Sequence, residues 1–220
     1  MSEDKQLLPS EIAVNDKGRL VTSTHTELMR YCAVILKGGG VNKRFETPEQ
    51  VFAALMLVRE KGLPDSAINQ VAIVQGNISL YGDLPLALVQ KTNQLSTFRE
   101  VWFDKDYNEI KFSNKNLNAD VFGAVCFISR GKGDVQEFAF TLDDAKKAGV
   151  FPANAMSPWT KHTRIMMRYK ARSIALKSLF ADVISGTSIL EYDYDLTEKE
   201  IRDVSPKGES SAEQLEQIFE

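Results

Sequence analysis

Long apolar runs are missing from the sequence. None approaches the ~18 residues that a membrane-spanning helix requires, so no helical span is expected. The opening residues, Met1-Ser2-Glu3-Asp4-Lys5, are polar and acidic, without the basic-then-apolar pattern of a secretory leader. Cysteine is scarce: Cys32 and Cys126 alone, each in an apolar stretch, predicted to be buried free thiols in a cytoplasmic protein. No paired-cysteine or His/Cys spacing suits zinc. His25 and His162 are too far apart to suggest a catalytic triad. A phosphate loop is also lacking. Gly38-Gly39-Gly40-Val41-Asn42-Lys43 does not end in the Gly-Lys-Ser/Thr that places a lysine and a hydroxyl on phosphate and magnesium. An ATP motor is therefore not expected, nor a bound cofactor or protein-held metal; magnesium would at most assist nucleic-acid pairing from solution.

What is present is an ordinary globular composition over 220 residues, 43% hydrophobic and 26% charged. The net charge of −3 hides an asymmetry. Glu191 to Glu220 holds ten acidic and three basic side chains, which leaves a net +4 on residues 1–190. Between Ser157 and Ala181 lie six basic residues and no acidic one. A basic block and an acidic tail in one chain suggest two partners, or a tail that competes with nucleic acid for the block. Three regions follow: a loose arm over 1–22, a folded region over 23–190 and an acidic tail over 191–220.

Local signals predict an α+β fold, without the regular alternation of a parallel βαβ sheet. Thr24-His25-Thr26-Glu27 reads as a capping box opening a helix that stops at Gly38. Thr47-Pro48-Glu49-Gln50 opens a second, ending near Gly62. A hairpin is predicted from Val71–Val74 and Ile78–Tyr81, then a helix carrying Leu84, Leu88 and Leu95, then a strand from Phe98 to Phe103. Val121–Ser129 and Val135–Phe140 form a second hairpin, followed by a short helix capped by Thr141. The longest helix is predicted to run from Ser157 to about Val183.

That helix is the most informative segment. At ~100° per residue, Lys161, Arg164, Arg168 and Arg172 fall in one sector of roughly 80°, beside an apolar sector of Ile165, Tyr169, Leu176 and Phe180. Four like charges repel, and no acidic partner on the helix relieves them. The pattern points to an external anion, such as a phosphate backbone whose counterions are released on binding. The bland alternative is a solvated helix face. Two further cationic spots are the glycine-flanked tip Arg130-Gly131-Lys132-Gly133 and the pair Lys43-Arg44. Tyr81, Trp102, Phe103 and Trp159 are candidates for stacking on unpaired bases, although aromatic residues more often belong to the core. Asp65 with Glu109 and Lys111 loosely imitates a magnesium nuclease, at a spacing much longer than such sites favour. A sequence-specific duplex binder, with the basic helix in a major groove, is the remaining alternative.

Two stretches carry a resemblance. One is Phe45-Glu46-Thr47-Pro48-Glu49-Gln50-Val51-Phe52-Ala53-Ala54, continuing through Gly62-Leu63 to Ser79-Leu80-Tyr81-Gly82-Asp83-Leu84-Pro85-Leu86-Ala87-Leu88-Val89. The other runs from Asp144-Ala145-Lys146-Lys147-Ala148-Gly149 through Ser157-Pro158-Trp159 to Arg164-Ile165-Met166-Met167-Arg168-Tyr169-Lys170-Ala171-Arg172 and Phe180-Ala181-Asp182-Val183. In order and combination these resemble the RecT family of phage and prophage single-strand annealing proteins, over roughly residues 25–185. The resemblance implies a non-enzymatic, ATP-independent protein of homologous recombination and DNA repair. Such a protein binds single-stranded DNA, anneals it to its complement, holds the annealed duplex intermediate and assembles into rings or helical filaments. It implies a partner exonuclease, the host single-strand binding protein and the bacterial cytoplasm. It also implies that Lys161, Arg164, Arg168 and Arg172 hold phosphates. Tyr81-Gly82-Asp83 matches a family box without an assigned role.

Overall fold

The computed structural model describes residues 24–74, 76–110, 121–151, 157–184 and 187–193. The expected arm over 1–22 and the tail beyond 193 lie outside the described residues.

The expected caps form. Helix α1 (His25–Lys37) opens on a reciprocal box in which Thr24 Oγ1 accepts from Glu27 N–H and the Glu27 carboxylate accepts from Thr24 N–H. Helix α2 (Pro48–Glu60) opens on Thr47, whose hydroxyl accepts from Gln50 N–H, with Pro48 placed where a missing N–H costs nothing. After a 3₁₀ turn over Asp65–Gln70, strands β1 (Val71–Val74) and β2 (Asn77–Leu80) pair antiparallel. Helix α3 (Leu84–Lys91) follows, and strand β3 (Leu95–Phe103) begins at Leu95. Leu95 therefore belongs to the strand and not to the preceding helix as the spacing suggested, because Thr92 and Asn93 end the helix first and Asn93 takes positive φ.

Strands β4 (Glu109–Ile110), β5 (Gly123–Arg130) and β6 (Gln136–Thr141) complete an antiparallel sheet in the order β4-β3-β5-β6. The predicted hairpin is thus one end of a larger sheet, with β6 at its edge. Helix α4 (Leu142–Lys147) carries a second capping box, from Thr141 and Asp144. The hydroxyl and backbone bonds to Asp144 hold its carboxyl below the usual carboxylate range, against the opposing effect of burial.

One prediction fails in an instructive way. The long helix is three: α5 (Pro158–Lys161), α6 (Thr163–Leu179) and α7 (Ala181–Ile184). The chain leaves helical geometry at His162 and again at Phe180. Neither break carries a glycine or proline. Both are made by packing: Trp159 turns in to meet Phe140, ring centres 6.0 Å apart, and Phe180 is wholly buried. Further along, where apolar periodicity fades, strand β7 (Ser188–Ile189) pairs parallel with β2, and α8 (Leu190–Asp193) follows. The described fold thus continues past residue 190, through α8.

Two apolar cores result. In one, α1 and α2 pack against β1 and β2, burying Leu55, Val58, Val71 and Leu80. In the other, α6 lies on one face of the four-stranded sheet, burying Cys126, Ile128, Met167 and Leu176. Each fully buried side chain of this size contributes about 1.5–3 kcal/mol. Helix α3 serves both, with Leu84 and Leu88 toward the first and Leu86 and Val89 toward the second. Both cysteines are buried free thiols, as expected. Among the described residues no helix is long and apolar enough to cross a membrane.

Candidate nucleic-acid interface

The four cations expected in one line are separated by the fold. Lys161 sits on α5, ahead of the break at His162, and is exposed. Arg164 and Arg168 lie on the first half of α6, partly exposed. Arg172, one turn further on, is only 4% exposed. Its Nε and Nη2 donate to the two oxygens of Glu100 on β3, at 2.7 and 2.6 Å, and Nη1 donates to Asp83. The rings of Phe98 and Tyr169 flank it. Burial alone would lower its pKa, but the hydrogen bonds and charge of Glu100, joined by Asp83, outweigh that and raise it above the ordinary arginine value. Arg172 is therefore a structural clamp and not a phosphate ligand. The helix does lack acidic residues of its own. The compensating carboxylates come from β3 and from the turn before α3, which no periodicity along α6 could reveal.

Asp83 belongs to the Tyr81-Gly82-Asp83 triplet, and the fold gives that triplet a role. Gly82 takes φ +67, a conformation that favours glycine, and its N–H donates to Glu191 Oε1 on α8 at 2.7 Å. Tyr81 N–H donates to Gln70 O, and Asp83 N–H to Gln70 Oε1. Burial raises the Glu191 carboxyl above its ordinary pKa, against the lowering effect of the Gly82 bond and of the Arg172 and Arg44 charges. Three elements distant in sequence thus meet at this turn, with α6 joined through Arg172.

Beside the clamp, β3 and α6 border a groove of about 440 Å³. Its lining includes Phe98, Trp102 and Ile110, with Arg99, Glu100, Glu109 and Arg168. The indole of Trp102 is fixed by its N–H donating to Arg164 O at 3.1 Å, and Arg164 reaches over the ring. Arg99 pairs with Glu109 at 2.9 Å and lies over Phe127. Arg168 differs from Arg172. Its Nε is 4.0 Å from Glu100 Oε2, an oxygen that Arg172 already holds, and is buried without a hydrogen-bond partner among the described residues. A charged donor left in that condition is costly unless an acceptor arrives. Trp102 helps to form the core and also lines this groove, as does Phe98, which the sequence placed only at the start of a strand.

The remaining candidates divide. Lys43 and Arg44 are exposed, and the Arg44 guanidinium lies 4.4 Å from the centre of the Tyr81 ring. Tyr81 donates its hydroxyl proton to Asn69 O and accepts from Asn42 Nδ2, so its edge is fixed and one face is taken by Arg44. At the β5–β6 tip, Lys132 is exposed between Gly131 and Gly133. Arg130 is turned away from the tip. It donates to both oxygens of Asp182, to Leu179 O and to Gln94, tying β5 to the end of α6, and it lowers the Asp182 pKa. Arg130 thus acts as a strut between β5 and the end of α6. Trp159 is 6% exposed in the second core, where it packs against Phe140. Phe103 is likewise buried, with Tyr107 stacked on it.

Of the nuclease constellation, the described residues Asp65 and Glu109 are each held by a different arginine. Asp65 is held by Arg59 in a two-point bond of 3.1 and 2.8 Å beside the first core, and Glu109 is held by Arg99 on β4; Lys111 lies outside the described residues. Among the described residues no cluster of three or more His, Cys, Asp or Glu is placed to hold a metal ion. No protein-family model matches the chain, and no curated protein matches it.

Proposed function

We propose that this chain binds single-stranded DNA and promotes its annealing to a complementary strand without ATP, as the resemblance to RecT-type annealing proteins implies. The observation that carries this reading is the groove between β3 and α6. There the unsatisfied Nε of Arg168 lies beside Trp102 and Phe98, with Arg164 and Arg99 close by. Unpaired bases offer flat faces to the half-buried Phe98, and phosphates offer acceptors to the partly exposed Arg168 guanidinium. The exposed cations Lys161, Lys132, Lys43 and Arg44 extend the positive surface. Bases are thereby held near complementary strands, and base pairing supplies the driving force.

In this reading the protein works as a ring or filament of identical subunits in the cytoplasm of a phage-infected or prophage-bearing bacterium. A partner exonuclease supplies single strands, and the host single-strand binding protein covers them. A helix laid in a duplex major groove is less well supported, since α6 buries Met167, Lys170, Ala171 and Arg172 within the fold. The test is annealing of two complementary labelled oligonucleotides, without ATP, at two salt concentrations. Salt-sensitive acceleration is expected; no acceleration by folded protein overturns the reading.

A further inference from the structure

The four-stranded sheet has a second face. Side chains alternate along a strand, so the residues between those turned toward α6 point the other way. On this outer face the register sets three rows, each running from β3 through β5 to β6: Arg99–Phe127–Glu137, Val101–Val125–Ala139 and Phe103–Gly123–Thr141. Phe103 is buried because its ring fills the space that a side chain at Gly123 would need, and because Tyr107 stacks on it. Val101, Val125 and Phe127 belong to neither core and stay half-exposed, and Ala139 is exposed. Arg99 lies 4.4 Å from the centre of the Phe127 ring and pairs with Glu109. An apolar patch rimmed by charge has the form of a contact with another protein surface. Arg99 meets two carboxylates there, Glu109 and Glu137, a balance that disfavours a phosphate backbone as the occupant.

We propose that this outer face packs against the same face of a second copy of the chain, about a two-fold axis parallel to β5. Charge complementarity selects that occupant. Arg99 and Glu137 flank Phe127 in one row, on opposite margins of the patch. A half-turn about β5 exchanges the β3 and β6 margins. Arg99 of each copy then meets Glu137 of the other, Val101 meets Ala139, and Val125 faces its own counterpart across the axis. Two sheets packed in this aligned manner lie about 10 Å apart, with the apolar rows between them. A two-fold contact closes on itself and does not propagate. The pair is therefore distinct from the ring or filament of the strand-binding reading, and it does not depend on that reading.

The test uses the full chain without DNA. Analytical ultracentrifugation compares the parent with Arg99→Glu and with Glu137→Arg. Both positions are exposed, so the fold should tolerate either change. Each reversal sets like charges together at both contacts and should weaken pairing roughly tenfold or more, seen as a fall toward half the parent's particle mass. Mixing the two variants restores opposite charges at both contacts, and a mixed pair should form with nearly the parent's affinity. A parent that sediments as a single chain overturns the proposal, and so does a mixture no better paired than its components. A second readout does not rely on charge. Val125→Cys, treated with a bismaleimide of about 10 Å span, should give linked pairs and nothing larger, while the buried Cys32 and Cys126 stay unreacted. Absence of linked pairs overturns the contact. Protection of the Val125→Cys site by an added single strand also overturns it, because nucleic acid would then occupy this face.

Discussion

Arg168 and Arg172 lie one turn apart on α6, yet they belong to different environments. Around the buried Arg172, each of the three guanidinium nitrogens donates to Glu100 or to Asp83. Around Arg168 the same carboxylate is 4.0 Å away and already occupied, and a groove opens alongside. The clamp and the groove show how a row of like charges is sorted by what lies opposite it. Where another element brings a carboxylate, the cation holds the fold. Where that carboxylate is already taken, as at Arg168, the cation is held only loosely.

The largest effect should come from breaking the clamp. Arg172→Ala leaves the Glu100 carboxylate buried without its partner and should cost about 3–5 kcal/mol in urea unfolding. A variant that also replaces Glu100, such as Arg172→Met with Glu100→Leu, should recover much of that loss, since both buried charges then leave together. Arg168→Ala should do the opposite. Stability should change by less than about 1 kcal/mol, while single-strand affinity falls roughly tenfold and the salt slope drops by about one. Equal stability losses for the two arginines would erase the distinction between clamp and groove.

Glu191→Gln tests the carboxyl that joins α8 to the clamp turn. Its folded pKa is raised, chiefly by burial, so the folded state favours its protonated form. Stability from this group is fully present below the unfolded glutamate pKa and is lost as pH rises through the folded value. The variant should therefore be more stable than the parent at pH 7.5, with the difference closing as pH falls toward the ordinary glutamate range. The smallest effect is a labelling rate. Burial, followed by the charge of Glu100, pushes the Cys126 thiol up to about 12, and burial pushes Cys32 up to about 11. Both should resist alkylation at pH 8 in the folded protein. Arg172→Ala should speed labelling of Cys126 through more frequent opening, and Arg168→Ala should leave it unchanged.

Signals confined to one or two turns of chain were legible in the sequence. The hydroxyls of Thr24, Thr47 and Thr141 satisfy nearby N–H groups, so the residues that make each cap are adjacent in the sequence. The α+β class and the hairpin strands were equally readable from alternation and turns. What stayed hidden depends on distant partners. His162 and Phe180 interrupt the helix because Trp159 and Phe180 have places in a core built mainly by other elements. Arg172 and Arg130 were read as free cations because Glu100, Asp83 and Asp182 lie elsewhere in the chain. Strand β7 is two residues long, too short for any periodicity to mark it.

The parallel pairing of β2 with β7 has a consequence for the order of events during synthesis. Gly82 and Glu191, which close the same junction, are 109 residues apart. A hairpin of two strands is marginal alone, and the β1–β2 pair must wait for its third strand until most of the chain has left the ribosome. Closure of so long a loop is entropically unfavourable and favours slow folding. The β2 edge therefore stays open to other chains throughout that interval, and crowded synthesis of this protein would first go wrong there, by pairing between nascent copies.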